Sequence, residues 1–61
     1  MSEDIEIECD VIKETDMAYL IHDGNIEAWI PKSQVSDESE SLGQITSIFI
    51  PEWLAEKAGL L

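Results

Sequence analysis

Residues 17–30, MAYLIHDGNIEAWI, decide the fold, because two apolar, β-prone runs flank the pair Asp23-Gly24. An Asp-Gly pair between two such runs strongly predicts a β-hairpin, since both residue types tolerate the backbone of a tight two-residue turn. With this pair as the loop, the core face consists of three cross-strand pairs: Ile21 with Ile26, Tyr19 with Ala28, and Met17 with Ile30. The opposite face has a mixed composition: Ala18, Leu20, His22, Glu27 and Trp29.

Upstream of the hairpin, residues 4–11 alternate strictly between apolar and acidic side chains, which is typical of a half-buried strand. The predicted inward set is Ile5, Ile7, Cys9 and Val11, and the outward set is Asp4, Glu6, Glu8 and Asp10. Downstream, residues 44–50 are rich in Ile, Thr and Phe and predict a further strand. We therefore expect four strands, at about 4–12, 17–22, 25–30 and 44–50.

The remaining segments predict a loop and a helix. Residues 36–43 are polar and acidic and predict a mobile loop. Pro51 suits the first position of a helix over about 51–58, and Gly59 suits a left-handed residue after it, with Leu60 folding back. The predicted architecture is a single α+β, mostly β domain over 1–61, either a four-stranded antiparallel meander or a half-open SH3-like small barrel with a short C-terminal helix. The barrel is favoured because both faces of the hairpin carry apolar residues.

The charge balance excludes several functions. Fourteen acidic residues against three lysines give a net charge of −11 at pH 7. Direct binding to nucleic acid requires clustered Lys and Arg, and adhesion to anionic membranes requires a basic surface, so neither is expected.

A chain of 61 residues buries one modest core and leaves little room for a deep substrate pocket, which argues against an enzyme. The acidic N-terminus and the lack of a long apolar run predict a soluble protein of the cytoplasm.

Residues suited to catalysis or metal binding are few. His22 flanks the hairpin turn and Cys9 belongs to the core face, so the two are expected on opposite sides of the sheet and not as a catalytic pair. One cysteine and one histidine make half a zinc site, and the acidic segments lack the twelve-residue calcium-loop pattern. We expect no catalytic residues, no metal and no cofactor.

The carboxylates of the first strand form a row with steps of ~6.7 Å. A single DNA strand carries a phosphate about every 3.4 Å of axis, so a mimic of DNA needs a second row. Two interpretations of this row stay open. It is either a solvated face that discourages aggregation or a surface that binds a basic partner. The scarcity of lysines favours the second interpretation enough to make the two equally strong. The candidate partner-binding residues are Asp4, Glu6, Glu8, Asp10, Glu14, Asp16, Glu27, Asp37, Glu38 and Glu40.

The two tryptophans also allow two interpretations. Trp29 and Trp53 suit packing in the core or between helix and sheet, and Trp53 stands near the start of the predicted helix. Alternatively, one of them stays partly exposed and anchors a protein partner.

Two sequence runs resemble a known group of proteins: WIPKSQ at 29–34, and PEWLA at 51–55 followed by KAGL at 57–60. Over about residues 11–60 the chain resembles small acidic proteins encoded by bacteriophage and prophage genomes. The resemblance implies a phage origin and a compact β-rich domain, and it supplies no catalytic or ligand residues. Phage proteins of this size and acidity include anti-CRISPR and anti-restriction inhibitors that imitate DNA.

The predicted function is therefore non-enzymatic inhibition of a host defence nucleoprotein, of CRISPR or restriction type, by DNA mimicry. The partner would be the basic surface of a nucleic-acid-binding protein, and the chain would be a monomer or a small homo-oligomer. The alternative is an accessory protein-interaction module of phage DNA metabolism or assembly that uses an apolar patch around Trp29 and Trp53.

Overall fold

The computed structural model describes residues 3–61, so the first two residues of the predicted 1–61 domain lie outside it. Six strands follow in order: β1 (Asp4–Glu8), β2 (Asp10–Glu14), β3 (Ala18–His22), β4 (Glu27–Pro31), β5 (Asp37–Ser41) and β6 (Gln44–Pro51). A short 3₁₀ turn, Lys32–Gln34, connects β4 to β5, and the helix α1 (Glu52–Lys57) follows β6. The predicted class, α+β and mostly β with a short C-terminal helix, is confirmed.

The strands form two antiparallel sheets, sheet A in the order β1-β6-β5 and sheet B in the order β2-β3-β4. Only Cys9 separates β1 from β2, so the chain crosses from one sheet to the other at this residue. The Cys9 N–H still donates to the Thr46 carbonyl, at 3.0 Å, which keeps the crossing segment attached to β6. The predicted strand over 4–12 is therefore two strands, one in each sheet, and the sheets enclose one core as a half-open barrel does.

The predicted loop over 36–43 is wrong, because most of it is the edge strand β5. Asp37 pairs with Phe49 and Ser41 pairs with Gln44 across an antiparallel ladder. An edge strand is held mainly by backbone hydrogen bonds, so it can form from a polar run. The connecting turn uses Leu42 at φ 54° and Gly43 at φ 79°. A leucine at positive φ is uncommon. The pair Leu42-Gly43 also differs from the Asn-Gly and Asp-Gly pairs that predict such a turn, so the sequence did not indicate it.

The hairpin of β3 and β4 is present, but its register differs from the predicted one by two residues. Tyr19 pairs with Ile30 and Ile21 pairs with Ala28, which centres the turn on Gly24-Asn25. Asp23 flanks this turn, and its Oδ1 accepts the N–H groups of Asn25 and Ile26, both at 2.8 Å. A shift of two preserves the faces of both strands, so the predicted sides of the hairpin hold.

The core lies between the sheets and is closed at one end by α1. Four isoleucines, Ile21, Ile30, Ile48 and Ile50, have no exposed surface, and Leu54 and Ala55 of the helix join them. The predicted alternation over residues 4–11 is confirmed, since Ile7 and Cys9 are buried while the acidic residues between them are exposed. Met17, predicted in the core, is 77% exposed, because the two-residue register shift pairs Ile30 with Tyr19 instead.

The helix begins at Glu52, one residue later than predicted, with Pro51 as its N-cap. Its end is as predicted, with Gly59 at φ 81°. The Leu60 N–H donates to the Ala55 carbonyl at 2.8 Å and the Gly59 N–H donates to the Glu56 carbonyl at 3.1 Å. This pair of bonds is the Schellman motif, which satisfies carbonyls at the helix end and turns Leu60 back onto the core.

Two glycine substitutions test this helix end. An alanine at position 59 would hold a strained positive φ and would place its Cβ 3.2 Å from Ile26 Cδ1, whereas position 24 has φ 100° and nothing within 4 Å. We expect Gly59→Ala to lower the free energy of unfolding by about 1–3 kcal/mol and Gly24→Ala by about 1 kcal/mol, measured by urea denaturation. A larger loss in Gly24→Ala than in Gly59→Ala would contradict the packing of the helix end against the hairpin.

Candidate functional site

The outer face of sheet A brings carboxylates from two strands to either side of a central strand. Asp4, Glu6 and Glu8 point outward from β1, and Asp37 points outward from β5. Glu6, Phe49 and Asp37 form one row across the sheet, because Phe49 of β6 pairs with both. Neighbouring strands are ~4.8 Å apart, so the carboxylates of β1 and β5 stand about 10 Å apart with Phe49 between them. We call Asp4, Glu6, Glu8 and Asp37 the acidic face.

One buried hydroxyl orients this face. Ser47 of β6 is 3% exposed and donates a hydrogen bond to Glu6 Oε2 at 2.7 Å. Asp37 is oriented differently, since its Oδ1 accepts the N–H of Glu38 at 2.8 Å. Both residues are therefore held in place by groups of the sheet itself, which limits the side-chain entropy lost when a partner binds.

Within residues 3–61, no ion pair involves a carboxylate of the acidic face. The three lysines are Lys13 in β2, Lys32 in the 3₁₀ turn and Lys57 in α1, so none belongs to sheet A. Within residues 3–61 one ion pair is present, between Lys32 and Glu14. Uncompensated like charges on one surface repel each other and create a negative potential that attracts a basic partner.

The other candidate acidic residues lie elsewhere. Asp10 and Glu27 flank His22 in one row across sheet B. Asp16 lies in the turn between β2 and β3, and Glu40 lies opposite Ile45 beyond an irregularity in the β5–β6 ladder. Glu14 is paired with Lys32, and Glu38 contacts Tyr19. Of the ten candidates, the acidic face brings together four.

Glu38 belongs to a polar contact between the sheets. The Tyr19 hydroxyl donates to the Glu38 carboxylate, with both oxygens at 3.4 Å, and the Lys32 ammonium lies 5.0 Å from the centre of the Tyr19 ring. Burial raises the pKa of Tyr19, and the negative charges of Glu38 and Glu14 raise it further, while Lys32 opposes them. Sequence reasoning missed this contact, because only the assignment of β5 as a strand turns Glu38 away from Asp37.

The single tyrosine of the chain allows a direct test of this contact. Replacing Glu38 by Gln removes a negative charge beside the phenol, so we expect the pKa of Tyr19 to fall toward its ordinary value. Ultraviolet absorbance of the tyrosinate during an alkaline titration measures the shift, and Glu40→Gln serves as the matched control. A pKa of Tyr19 that is unchanged in Glu38→Gln, or equally lowered in both variants, would rule the contact out.

Cys9 and His22 are closer together than expected, since both line one depression of about 270 Å³ with Asp10 and Asp23. The expectation that the two side chains lie on opposite sides of one sheet is wrong, because the chain crosses from sheet A to sheet B at Cys9. Burial, aided by the charges of Asp10 and Asp23, raises the pKa of the Cys9 thiol to about 11, which keeps it protonated at neutral pH. His22 Nδ1 accepts the N–H of Gly24 at 3.0 Å. Over residues 3–61, no three His, Cys, Asp or Glu side chains are grouped to hold a metal ion.

Both tryptophans are about half exposed. Trp29 is 52% exposed on the outer face of sheet B, opposite Leu20, and Trp53 is 48% exposed on α1. The helix is instead held to the core by Leu54 and Ala55. Trp29 also lines a groove of about 390 Å³ together with Met17 and Pro31.

No family model, curated protein or solved structure matches this chain. Among the helices of residues 3–61, none has the length and apolar character to cross a membrane. Function is therefore inferred from the chemistry of the residues and their arrangement.

Proposed function

We propose that this protein is a non-enzymatic inhibitor that binds the basic, nucleic-acid-binding surface of another protein through its acidic face. Its target would be a host defence nucleoprotein of CRISPR or restriction type in a bacterial cell, and the chain itself a phage product. The observation that supports this most is the row Glu6–Phe49–Asp37, in which carboxylates stand on both sides of a central strand in a sheet without lysine.

The spacing of these charges supports part of a match to a polyanion. One row with steps of ~6.7 Å has about half the density of phosphates along a DNA strand, which carries one about every 3.4 Å of axis. Asp37 on β5 adds a charge from a second strand, about 10 Å from the first row. The face is therefore a partial imitation of a polyanion, and the proposed binding depends on the local field of its four carboxylates as well as on their spacing.

The chemistry of the face suits arginine and lysine side chains. A cation placed over the half-buried Phe49 ring would lie between a carboxylate of β1 and a carboxylate of β5. The aromatic ring and both carboxylates would then attract the same cationic group. Such association is fast at low ionic strength and weakens as salt screens the field, with a screening length of about 10 Å at 0.1 M salt.

Amide substitutions test the proposal without changing the shape of the face. The variant Asp4→Asn/Glu6→Gln/Glu8→Gln/Asp37→Asn removes four charges and keeps an acceptor oxygen for Ser47 and for the Glu38 N–H. Displacement of a labelled 20-base-pair DNA from a panel of CRISPR effector complexes and restriction endonucleases is followed by fluorescence anisotropy. We expect the unmodified protein to displace DNA from a susceptible enzyme, and the variant to need at least about tenfold higher concentration, which corresponds to about 1.4 kcal/mol.

The matched control removes four charges outside the acidic face: Asp10→Asn/Glu27→Gln/Glu40→Gln/Glu56→Gln. It has the same net charge, and we expect its potency to stay within about threefold of the unmodified protein, since exposed charges distant from a contact are largely screened. An equal loss in both variants would assign the effect to net charge alone and reject the acidic face as the binding surface. If the unmodified protein displaces DNA from no enzyme of the panel, the proposed inhibition is wrong.

A second candidate function is an accessory protein-interaction module of phage DNA metabolism or assembly. The half exposure of Trp29 and Trp53 favours it, because large aromatic side chains exposed to water are typical anchors of protein contacts. The two candidates differ in salt dependence, since screening weakens a contact between charges and leaves a contact between apolar surfaces nearly unchanged.

A further inference from the structure

A groove on sheet B and its turns, which shares no residue with the acidic face, combines apolar walls with one free charge. It has a volume of about 390 Å³ and lies between the β2–β3 turn and the 3₁₀ turn. Trp29 and Pro31 of β4 form one side of it, and Asp16, Met17 and Lys32 form the rest with their neighbours. We call it the Trp29 groove.

The apolar walls are held in place by the backbone. Met17 is 77% exposed, yet its carbonyl accepts the Lys32 N–H at 2.8 Å, which ties the two turns together. The Thr15 hydroxyl accepts the N–H groups of Met17 and Ala18, at 3.3 and 3.0 Å, and the Thr15 N–H donates to the Ala18 carbonyl. A preorganised, exposed apolar groove is a feature of interaction sites, since a partner loses little entropy in ordering it.

The free charge in the groove is negative. The Lys32 ammonium group is paired with Glu14 and lies over the Tyr19 ring, so its charge is already engaged within the protein. Asp16 is exposed and has no ion-pair partner among the residues that the structure describes. The net charge of −11 also repels an acidic partner. The complementary occupant is therefore cationic, with an apolar or planar body.

We propose that the Trp29 groove binds an extended segment of a protein partner through one arginine, which stacks on the Trp29 indole and pairs with the Asp16 carboxylate. Arginine fits better than lysine, because its guanidinium is planar, stacks on aromatic rings and forms two parallel hydrogen bonds with a carboxylate. An extended segment is expected because β4, which carries Trp29 and Pro31, is one of the two edge strands of sheet B, so a chain can lie along it. A second copy of this protein is not the occupant, since the chain contains no arginine.

This proposal does not rest on the proposed function, because the groove belongs to sheet B and its turns while the acidic face belongs to sheet A. A partner can occupy either surface alone. A partner that occupies both would gain affinity from two separate contacts, the groove providing specificity and the acidic face providing attraction at a distance.

The test uses the full chain labelled with ¹⁵N and the pentapeptide acetyl-Gly-Leu-Arg-Leu-Gly-amide, together with its Lys and Gln counterparts. We expect the arginine peptide to shift the amide signals of residues 16–18 and 29–33 and to saturate. The lysine peptide should bind about threefold more weakly, and the glutamine peptide should give no saturable shift. If the glutamine peptide binds as well as the arginine peptide, or if the shifts map to β1 and β5, the proposal is wrong.

Variants assign the contacts. Trp29→Leu should abolish the saturable shift, and Asp16→Asn should raise the Kd for the arginine peptide about fivefold while leaving the Kd of the lysine peptide less affected. Trp53→Leu and Asp10→Asn are the matched controls, and each should leave the Kd within about twofold. Asp16→Asn reports on the groove even if Trp29→Leu fails to fold, since Asp16 is exposed in a turn. Equal losses in Asp16→Asn and Asp10→Asn would overturn the proposal and leave general attraction of cations as the explanation.

Discussion

The pairing of β6 with both β1 and β5 is the constraint on which the rest of the structure depends. On its inner side β6 supplies Ile48 and Ile50, which are fully buried, and on its outer side it supplies Ser47 and Phe49. The same strand leads into α1 at Glu52, whose N–H donates to the Glu3 carbonyl at 2.9 Å. A one-residue slip of β6 would move its isoleucines to the solvent and separate Glu6 from Asp37, so core and acidic face share one register.

The charge of the chain and its small core impose opposite requirements. Fourteen carboxylates repel each other in the folded state, and a chain of 61 residues buries only a modest apolar area to offset that repulsion. Most carboxylates are accordingly exposed, and Glu38, which is turned toward the inside, contacts a phenol while Lys32 and Glu14 lie nearby. In the part of the chain that the structure describes, the acidic face holds four carboxylates together with no ion pair.

Sequence patterns predicted the parts of the fold that follow from local periodicity and turn chemistry. The alternation of residues 4–11 predicted which side chains are inside, and Gly59 predicted the helix end. The edge strand β5 was not predicted, because its stability comes from pairing with β6 and not from its own sequence pattern. The turn between β5 and β6 also contains Leu42 where an Asn or Asp is usual. Alternation along the first strand also predicted that Asp4, Glu6 and Glu8 share one face. The position of Asp37 beside them depends on the pairing of β5 with β6, a long-range property that spacing along the chain does not encode.

We expect the negative potential to be concentrated on the acidic face and not spread evenly over the molecule. Paramagnetic relaxation of backbone amide and Hα protons by a cationic nitroxide, divided by that caused by a neutral nitroxide, measures this potential residue by residue. The largest ratios are expected along β1 and β5, at Glu6, Glu8 and Asp37, and these ratios should fall as salt is added. Ratios at Glu27 and Glu56 equal to those at Glu6 and Asp37 would contradict this expectation.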